Sequence, residues 1–95
     1  MNLSVGARLL LCAAEAQGHI IVVTDSAGLH VQAGGKQFGA GFDDPRRRAE
    51  VESELSELAI NGLVAPEGAV RPVTARGYEW IDENRSDGPL SDGEE

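Results

Sequence analysis

Apolar and polar positions along the chain predict three helices with short strands between them. Ser4 is a good N-cap for a first helix over residues 5–17, and that helix is apolar around most of its circumference. The β-branched run at 19–24, the alternating segment at 29–33 and the segment at 36–38 predict a small antiparallel sheet or a pair of hairpins. The glycine-rich GAGF segment that follows is expected to be flexible.

Asp44 and Pro45 are a strong start signal for a second helix, because aspartate caps a helix and proline suits its first position. Asn61-Gly62 predicts the end of that helix. Four apolar residues recur at helical spacing and predict its buried side: Val51, Leu55, Leu58 and Ala59.

The third part of the chain predicts a hairpin over residues 63–73 and a last helix capped by Thr74. Within that helix Tyr78 and Ile81 share one side, and Trp80 flanks it. Strands and helices are therefore segregated rather than regularly alternating, which indicates an α+β fold.

The run LSELAINGLVAPEGAVRPVTARGYEWID resembles the second half of winged-helix domains. Those domains commonly combine a helix with leucines three apart, an Asn-Gly-Leu-Val or similar segment, a two-stranded wing and a Leu-Thr-x-x-Gly type start to the final helix. The matching residues are Leu55, Leu58, Asn61, Gly62, Leu63, Val64, Val73, Thr74 and Gly77. The resemblance covers about a third of the chain and implies a small winged-helix-like α+β domain.

The first half departs from this pattern. A DNA-reading winged helix has a short helix just before its recognition helix, and the two together make the helix-turn-helix. Here residues 19–38 predict strands and turns instead.

The formal net charge of −8 is unevenly distributed. The segment 86–95, SDGPLSDGEE, has four acidic residues, no basic one and a single bulky apolar residue, which is typical of a disordered acidic tail. The domain then spans residues 1–85 with 8 basic and 12 acidic residues, a net charge of −4. That sign does not favour general binding to nucleic acid or to anionic membranes.

The apolar run LLLCAAEA near the start is far too short to span a bilayer, and Leu11 rather than a small residue precedes Cys12. We therefore expect a cytoplasmic protein with no membrane partner. The single cysteine excludes an internal disulfide. Its apolar neighbours predict that Cys12 is a small core residue.

Three consecutive arginines, Arg46, Arg47 and Arg48, form what we call the arginine cluster at the start of the second helix. By the winged-helix resemblance this helix takes the place of the recognition helix, whose first turn contacts bases and phosphates. Arg71 would lie on the wing and Arg76 near the start of the last helix. Together these five residues are the candidate site for DNA or another partner.

The structural alternative is pairing within the helix: Arg46 with Glu50, Arg47 with Glu50 and Arg48 with Glu52. Each such pair contributes only about 0.2–0.5 kcal/mol. Positive charge at a helix N-terminus also opposes the macrodipole by about 0.3–1 kcal/mol per charge. Helix stability alone therefore does not explain the cluster, and both interpretations stay open.

The glutamates that follow the cluster, among them Glu50, Glu54 and Glu57, would repel phosphates. They form a candidate acidic face for a basic surface of another protein. The alternative is that glutamates are simply good exposed helix formers.

Catalytic and cofactor signals are weak. The segment 34–41, GGKQFGAG, lacks the Gly-Lys-Ser/Thr ending of a phosphate-binding loop. His19 and His30 match no zinc spacing, and no nucleophile arrangement is recognisable. We therefore expect no enzymatic activity, no cofactor and no metal.

These observations favour a non-enzymatic, winged-helix-like binding module that acts through protein–protein contacts. An inhibitor or adaptor from a phage or mobile element fits that role. The main alternative is a dimeric DNA-binding regulator that uses the arginine cluster and the wing. A homodimer through residues 5–17 is compatible with both, and a structural subunit held by the first helix is a third class.

Overall fold

The computed structural model describes residues 3–86 and confirms the α+β class, with three helices and a five-stranded antiparallel sheet. The elements in chain order are α1 (Val5–Ala14), β1 (His19–Asp25), β2 (Gly28–Ala33), β3 (Lys36–Gln37), β4 (Ala40–Gly41), α2 (Pro45–Ile60), β5 (Val70–Pro72) and α3 (Ala75–Ser86). The predicted tail lies outside the described residues from position 87 onward.

Helix α1 begins where predicted and ends earlier. The Oγ of Ser4 accepts a hydrogen bond from the backbone N of Ala7 at 3.2 Å, as an N-cap does. The helix ends at Ala14 rather than at residue 17, and the N–H of Gly18 donates to the Ala14 carbonyl at 2.7 Å. Its buried residues share one side: Ala7, Leu10, Leu11 and Ala14.

The sheet has the strand order β3-β2-β1-β5, with β4 also pairing with β2. The predicted alternation along residues 29–33 is confirmed, because Leu29, Val31 and Ala33 are buried while His30 is exposed. Strands β1 and β2 form the long central hairpin, in which Val22 lies opposite Val31.

The GAGF segment is more ordered than predicted, since β4 lies within it and pairs with the start of β2. Close approach of the two backbones explains the glycine content. A Cβ atom on Gly39 would overlap the Leu29 carbonyl oxygen. The sequence pattern missed this strand because a two-residue strand has no hydrophobic period to detect.

The predicted hairpin over residues 63–73 forms only in part. Its two sides meet at an isolated bridge between Val64 and Val73, and the N–H of Ala65 donates to the Pro72 carbonyl at 3.0 Å. Strand β5 pairs mainly with β1, where Ile20 lies opposite Arg71. Strand β1 pairs with β2 along one edge and with β5 along the other, so the sheet is continuous across all three strands.

Helices α2 and α3 have the caps that the sequence predicts. Gly62 has a φ of 74° just after α2, and the Oγ1 of Thr74 accepts from the N–H of Gly77 at 3.0 Å. The side chains of α3 differ from the prediction, because Trp80 and Ile81 are buried while Tyr78 is exposed. Helix α3 therefore packs through Trp80 rather than through Tyr78.

The core lies between the helices and one face of the sheet. Helix α1 packs on α2, on β2 and on α3. Cys12 is exposed, so its prediction as a core residue was wrong. The cause is that apolar residues occur on most sides of α1, whereas the neighbouring elements cover only one side of the helix. None of the helices within residues 3–86 has the length and apolar character needed to cross a membrane.

Candidate functional site

The arginine cluster lies in the first turn of α2, where Asp44 and Pro45 start the helix. The Oδ1 of Asp44 accepts a hydrogen bond from the backbone N of Arg47 at 3.1 Å. Pro45 stands at the first helical position. A backbone N–H at that position has no acceptor within the helix, so proline loses no hydrogen bond there. The predicted helix start is confirmed, and the role of the cluster depends on what its guanidinium groups contact.

Two members of the cluster contact glutamates on their own helix. Nη1 of Arg47 lies 3.3 Å from Glu50 Oε1, and Nε of Arg48 lies 3.2 Å from Glu52 Oε2. A second nitrogen of Arg47, Nη2, donates to the Phe38 carbonyl at 3.5 Å. The third expected pair, between Arg46 and Glu50, does not form in the described part of the chain.

The three arginines point in different directions around α2. Consecutive helical residues are separated by about 100°. Arg47 reaches toward Phe38 beside β3, whereas Arg48 lies on the flank that carries Glu52. The cluster therefore covers about 200° of the helix circumference and is not a single basic face.

Arg71 lies on β5 and Arg76 on α3. Nε of Arg71 donates to the Gly68 carbonyl at 2.9 Å, within the loop that precedes β5. Arg71 lines the same cleft as Glu52, the partner of Arg48. Arg76 is exposed in the first turn of α3, next to Gly62 at the far end of α2. A 16-residue helix is about 24 Å long, so Arg76 and the cluster are separated by roughly that distance and do not form one site.

Part of the predicted acidic face is used inside the fold. The Glu57 carboxylate accepts hydrogen bonds from the backbone N of Ser4 at 2.8 Å and from its Oγ at 2.9 Å. This carboxylate lies at the N-terminus of α1, where the helix dipole favours a negative charge. Glu57 therefore joins α2 to the start of α1.

Glu54 is packed beside the same helix start. A Cβ atom added to Gly6 would overlap the Glu54 carboxylate, which shows how closely the two residues approach. Burial raises the pKa of Glu54, Arg47 opposes that shift, and the charges of Glu50 and Glu57 add to it. Glu50, in contrast, accepts a hydrogen bond from Arg47 of its own helix.

Asp25 and His30 form a contact that their sequence spacing did not reveal. The β1–β2 pairing brings His30 Nε2 to 2.9 Å from Asp25 Oδ1, which also accepts from the Ala27 backbone N at 2.8 Å. The His30 hydrogen bond lowers the pKa of Asp25, and the Ala27 bond adds to the shift. The pair joins the two strands next to the turn between them. Within residues 3–86 no group of three or more metal-ligating side chains occurs.

A surface that the sequence analysis did not single out lies on the open face of the sheet. Alternate residues of β1 point away from the helices. Cross-strand pairing places Ile21 directly opposite Val70 of β5. Val23 and Val70 are 44% and 58% exposed. With Ile21 and the exposed Pro72 they form what we call the sheet patch.

The signal for the sheet patch was present in the sequence. The run HIIVV is apolar at both odd and even positions. Such continuous apolar character is typical of strands that are buried on both faces, whereas a half-solvated antiparallel strand alternates. The helices cover only one face of β1.

A second exposed apolar surface lies on α1. Val5 and Leu9 are 71% and 59% exposed, and Cys12 is exposed as well. Their spacings of four and three residues place all three on one side of the helix, opposite the buried side. We call these three residues the α1 stripe.

No protein-family model, no curated protein and no solved structure matches the chain.

Proposed function

We propose that this protein is a non-enzymatic binding module that acts through contacts with another protein, with the sheet patch as its docking surface. The observation that supports this proposal is the exposure of Val23 and Val70 beside Ile21, on a sheet face that residues 3–86 leave uncovered. Contiguous exposed apolar side chains commonly mark protein–protein contact sites. The winged-helix-like relationship is part of the same proposal.

Charge defines the partner further. The domain carries a net charge of −4, and Asp25 lies on the open face at the end of β1. The partner that fits is a protein whose contact surface has an apolar centre and a neutral or basic rim, because like charges at a rim slow association. An inhibitor or adaptor role, including one encoded by a phage or mobile element, is consistent with this surface.

Affinity capture with three bait proteins tests this proposal. The baits are the wild type, a variant with Val23→Lys and Val70→Lys, and a control with Arg46, Arg47 and Arg48 changed to alanine. We expect one protein to be retained by the wild type and by the arginine control, and to be lost with the lysine variant. Retention by the lysine variant would show that the sheet patch is not the docking surface.

DNA binding is the alternative, and the geometry gives it little support. Arg47 and Arg48 already contact glutamates, and a β-hairpin occupies the chain between α1 and α2. Fluorescence anisotropy of a random-sequence duplex at low salt is the test, with the triple alanine variant beside the wild type. Salt-sensitive binding that disappears in the variant would establish the DNA function.

The α1 stripe supports a second copy of the chain as a further partner. Spacings of four and three residues occur in paired helices, where such residues pack against a neighbouring helix. Sedimentation equilibrium of the wild type and of a Leu9→Lys variant measures this directly. A dimer that dissociates on the substitution supports the proposal, and a wild-type monomer at high concentration contradicts it.

A further inference from the structure

A cleft opens on the helix side of the sheet, between α2, the β1–β2 hairpin and the loop before β5. It encloses about 280 Å³. Three apolar side chains form its floor: Val22, Leu29 and Leu55. Four polar side chains stand around it: Thr24, Glu52, Ser56 and Arg71. An apolar floor with a few converging polar groups is the usual composition of a small-ligand site.

Arg71 is held in a fixed position at this cleft. Arg71 lies opposite Ile20 in the sheet. Because directly paired residues point to the same side of a sheet, the Arg71 side chain extends toward the helices, as that of Ile20 does. Its Nε donates to the Gly68 carbonyl at 2.9 Å. Nη1 and Nη2 have no partner among residues 3–86. These two nitrogens can therefore donate hydrogen bonds to a ligand.

The guanidinium of Arg71 also has no internal counter-ion within the described residues. Glu52 is the acidic residue at the cleft, and its Oε2 accepts from Arg48 at 3.2 Å. Arg71 is therefore a half-buried cation beside an apolar surface, with its charge available. Planar guanidinium groups bind carboxylates through two parallel hydrogen bonds.

We propose that this cleft binds a carboxylate carried on a short apolar group, with the carboxylate on Arg71 and the apolar group on the floor. Ser56 and Thr24 line the same cleft, and a hydroxyl group can donate a hydrogen bond to a carboxylate oxygen. Such a ligand is either a free apolar amino acid or the C-terminal residue of another chain. The cleft and the sheet patch lie on opposite sides of the sheet, so this proposal and the docking proposal can fail separately.

An NMR titration of the ¹⁵N-labelled full-length chain tests the cleft with three probes. N-acetylleucine carries an apolar side chain, an amide and a carboxylate, as a chain terminus does. Leucine carries a free ammonium group in place of that amide, and leucinamide lacks the carboxylate. We expect carboxylate probes to shift the amide signals of Ser56, Ala59 and Arg71, and leucinamide to leave them unchanged.

The two sources of the ligand give different results. Binding of N-acetylleucine at least as tight as that of leucine assigns the site to a chain terminus, and binding of leucine alone assigns it to a free amino acid. The proposal is wrong if leucinamide binds as well as the acids. It is also wrong if no probe shifts these signals at about 20 mM, well above the millimolar affinity expected for a ligand of this size.

Two variants link the signal to the cleft. Arg71→Gln is expected to weaken binding of N-acetylleucine at least about tenfold, because a charge-assisted contact is lost. The matched control Arg76→Gln removes an exposed arginine outside the cleft and should leave binding unchanged. Ser56→Phe fills the cleft from an exposed helix position and should abolish binding with the fold intact. Unchanged binding in folded Arg71→Gln and Ser56→Phe would overturn the assignment.

Discussion

The two faces of β1 carry similar side chains and have different surroundings. Ile20 points toward the helices and is completely buried, whereas Ile21 and Val23 point away from them and remain partly exposed. Burying an apolar side chain of this size is worth about 1.5–3 kcal/mol. The inner face therefore stabilises the fold, while the same residue types on the outer face remain as exposed apolar surface.

The largest expected effect is on the inner face. Ile20→Ala should lower the free energy of unfolding by about 2–5 kcal/mol, because it leaves a cavity in the packed core. Val23→Ala, on the outer face, should change it by less than about 0.5 kcal/mol. Urea denaturation of both variants measures the difference. Equal losses would mean that the two faces do not differ as described.

The contact between Glu57 and Ser4 should have the next largest effect. Glu57→Ala removes both hydrogen bonds to Ser4 at the start of α1. We expect a loss of about 1 kcal/mol, as for a helix cap. The control is Glu67→Ala, which changes an exposed glutamate in the loop before β5. If Glu57→Ala lowers the free energy of unfolding no more than Glu67→Ala does, the contact of Glu57 with Ser4 does not stabilise the packing of α2 on α1.

Replacing the arginine cluster by alanine should have a smaller effect on stability. Two exposed ion pairs are lost, each worth less than about 1 kcal/mol, while repulsion from the positive end of the helix dipole is relieved. The net change in unfolding free energy should stay within about 1 kcal/mol in thermal or urea unfolding. A loss of unfolding free energy as large as that of Ile20→Ala would mean that the arginine side chains are part of the packed core.

The smallest effect is the pH dependence at Glu54. The pKa of Glu54 is raised in the folded protein. The contribution of Glu54 to the free energy of unfolding is therefore most favourable below the pKa of the unfolded state, and it is lost as the pH rises through the pKa of the folded state. Glu54→Gln should therefore melt about 1–2 °C above the wild type at pH 7 and show no such gain at pH 4. A gain that is equal at both pH values would exclude ionisation of Glu54 as its cause.

The sequence predicted most elements of the fold, because their signals are local. Asp44 with Pro45, the Asn61-Gly62 stop and the Thr74 cap all act within a few residues. The pairing of β5 with β1 and the exposure of Cys12 depend on contacts between distant segments, and no local pattern carries them. Trp80 is buried for the same reason, because α1 determines which side of α3 is covered.

The candidate site was harder to predict than the fold. The arginine cluster is conspicuous in the sequence, but the structure directs Arg47 and Arg48 to different contacts and places Arg76 at the other end of α2. The sheet patch is inconspicuous, since Ile21 and Val70 come together only through the β1–β5 register. Charge runs can be read directly from a sequence, whereas an apolar surface built from two strands requires the topology.

Site-specific photo-crosslinking compares these two surfaces most directly. A benzoyl-phenylalanine is introduced at Val23 in the sheet patch or, as the control, at Ala49, an exposed position of α2 next to the arginine cluster. We expect irradiation in cells to give one discrete adduct with a second protein from position 23 and none from position 49. An adduct from position 49 with none from position 23 would contradict the sheet patch and assign binding to the arginine cluster.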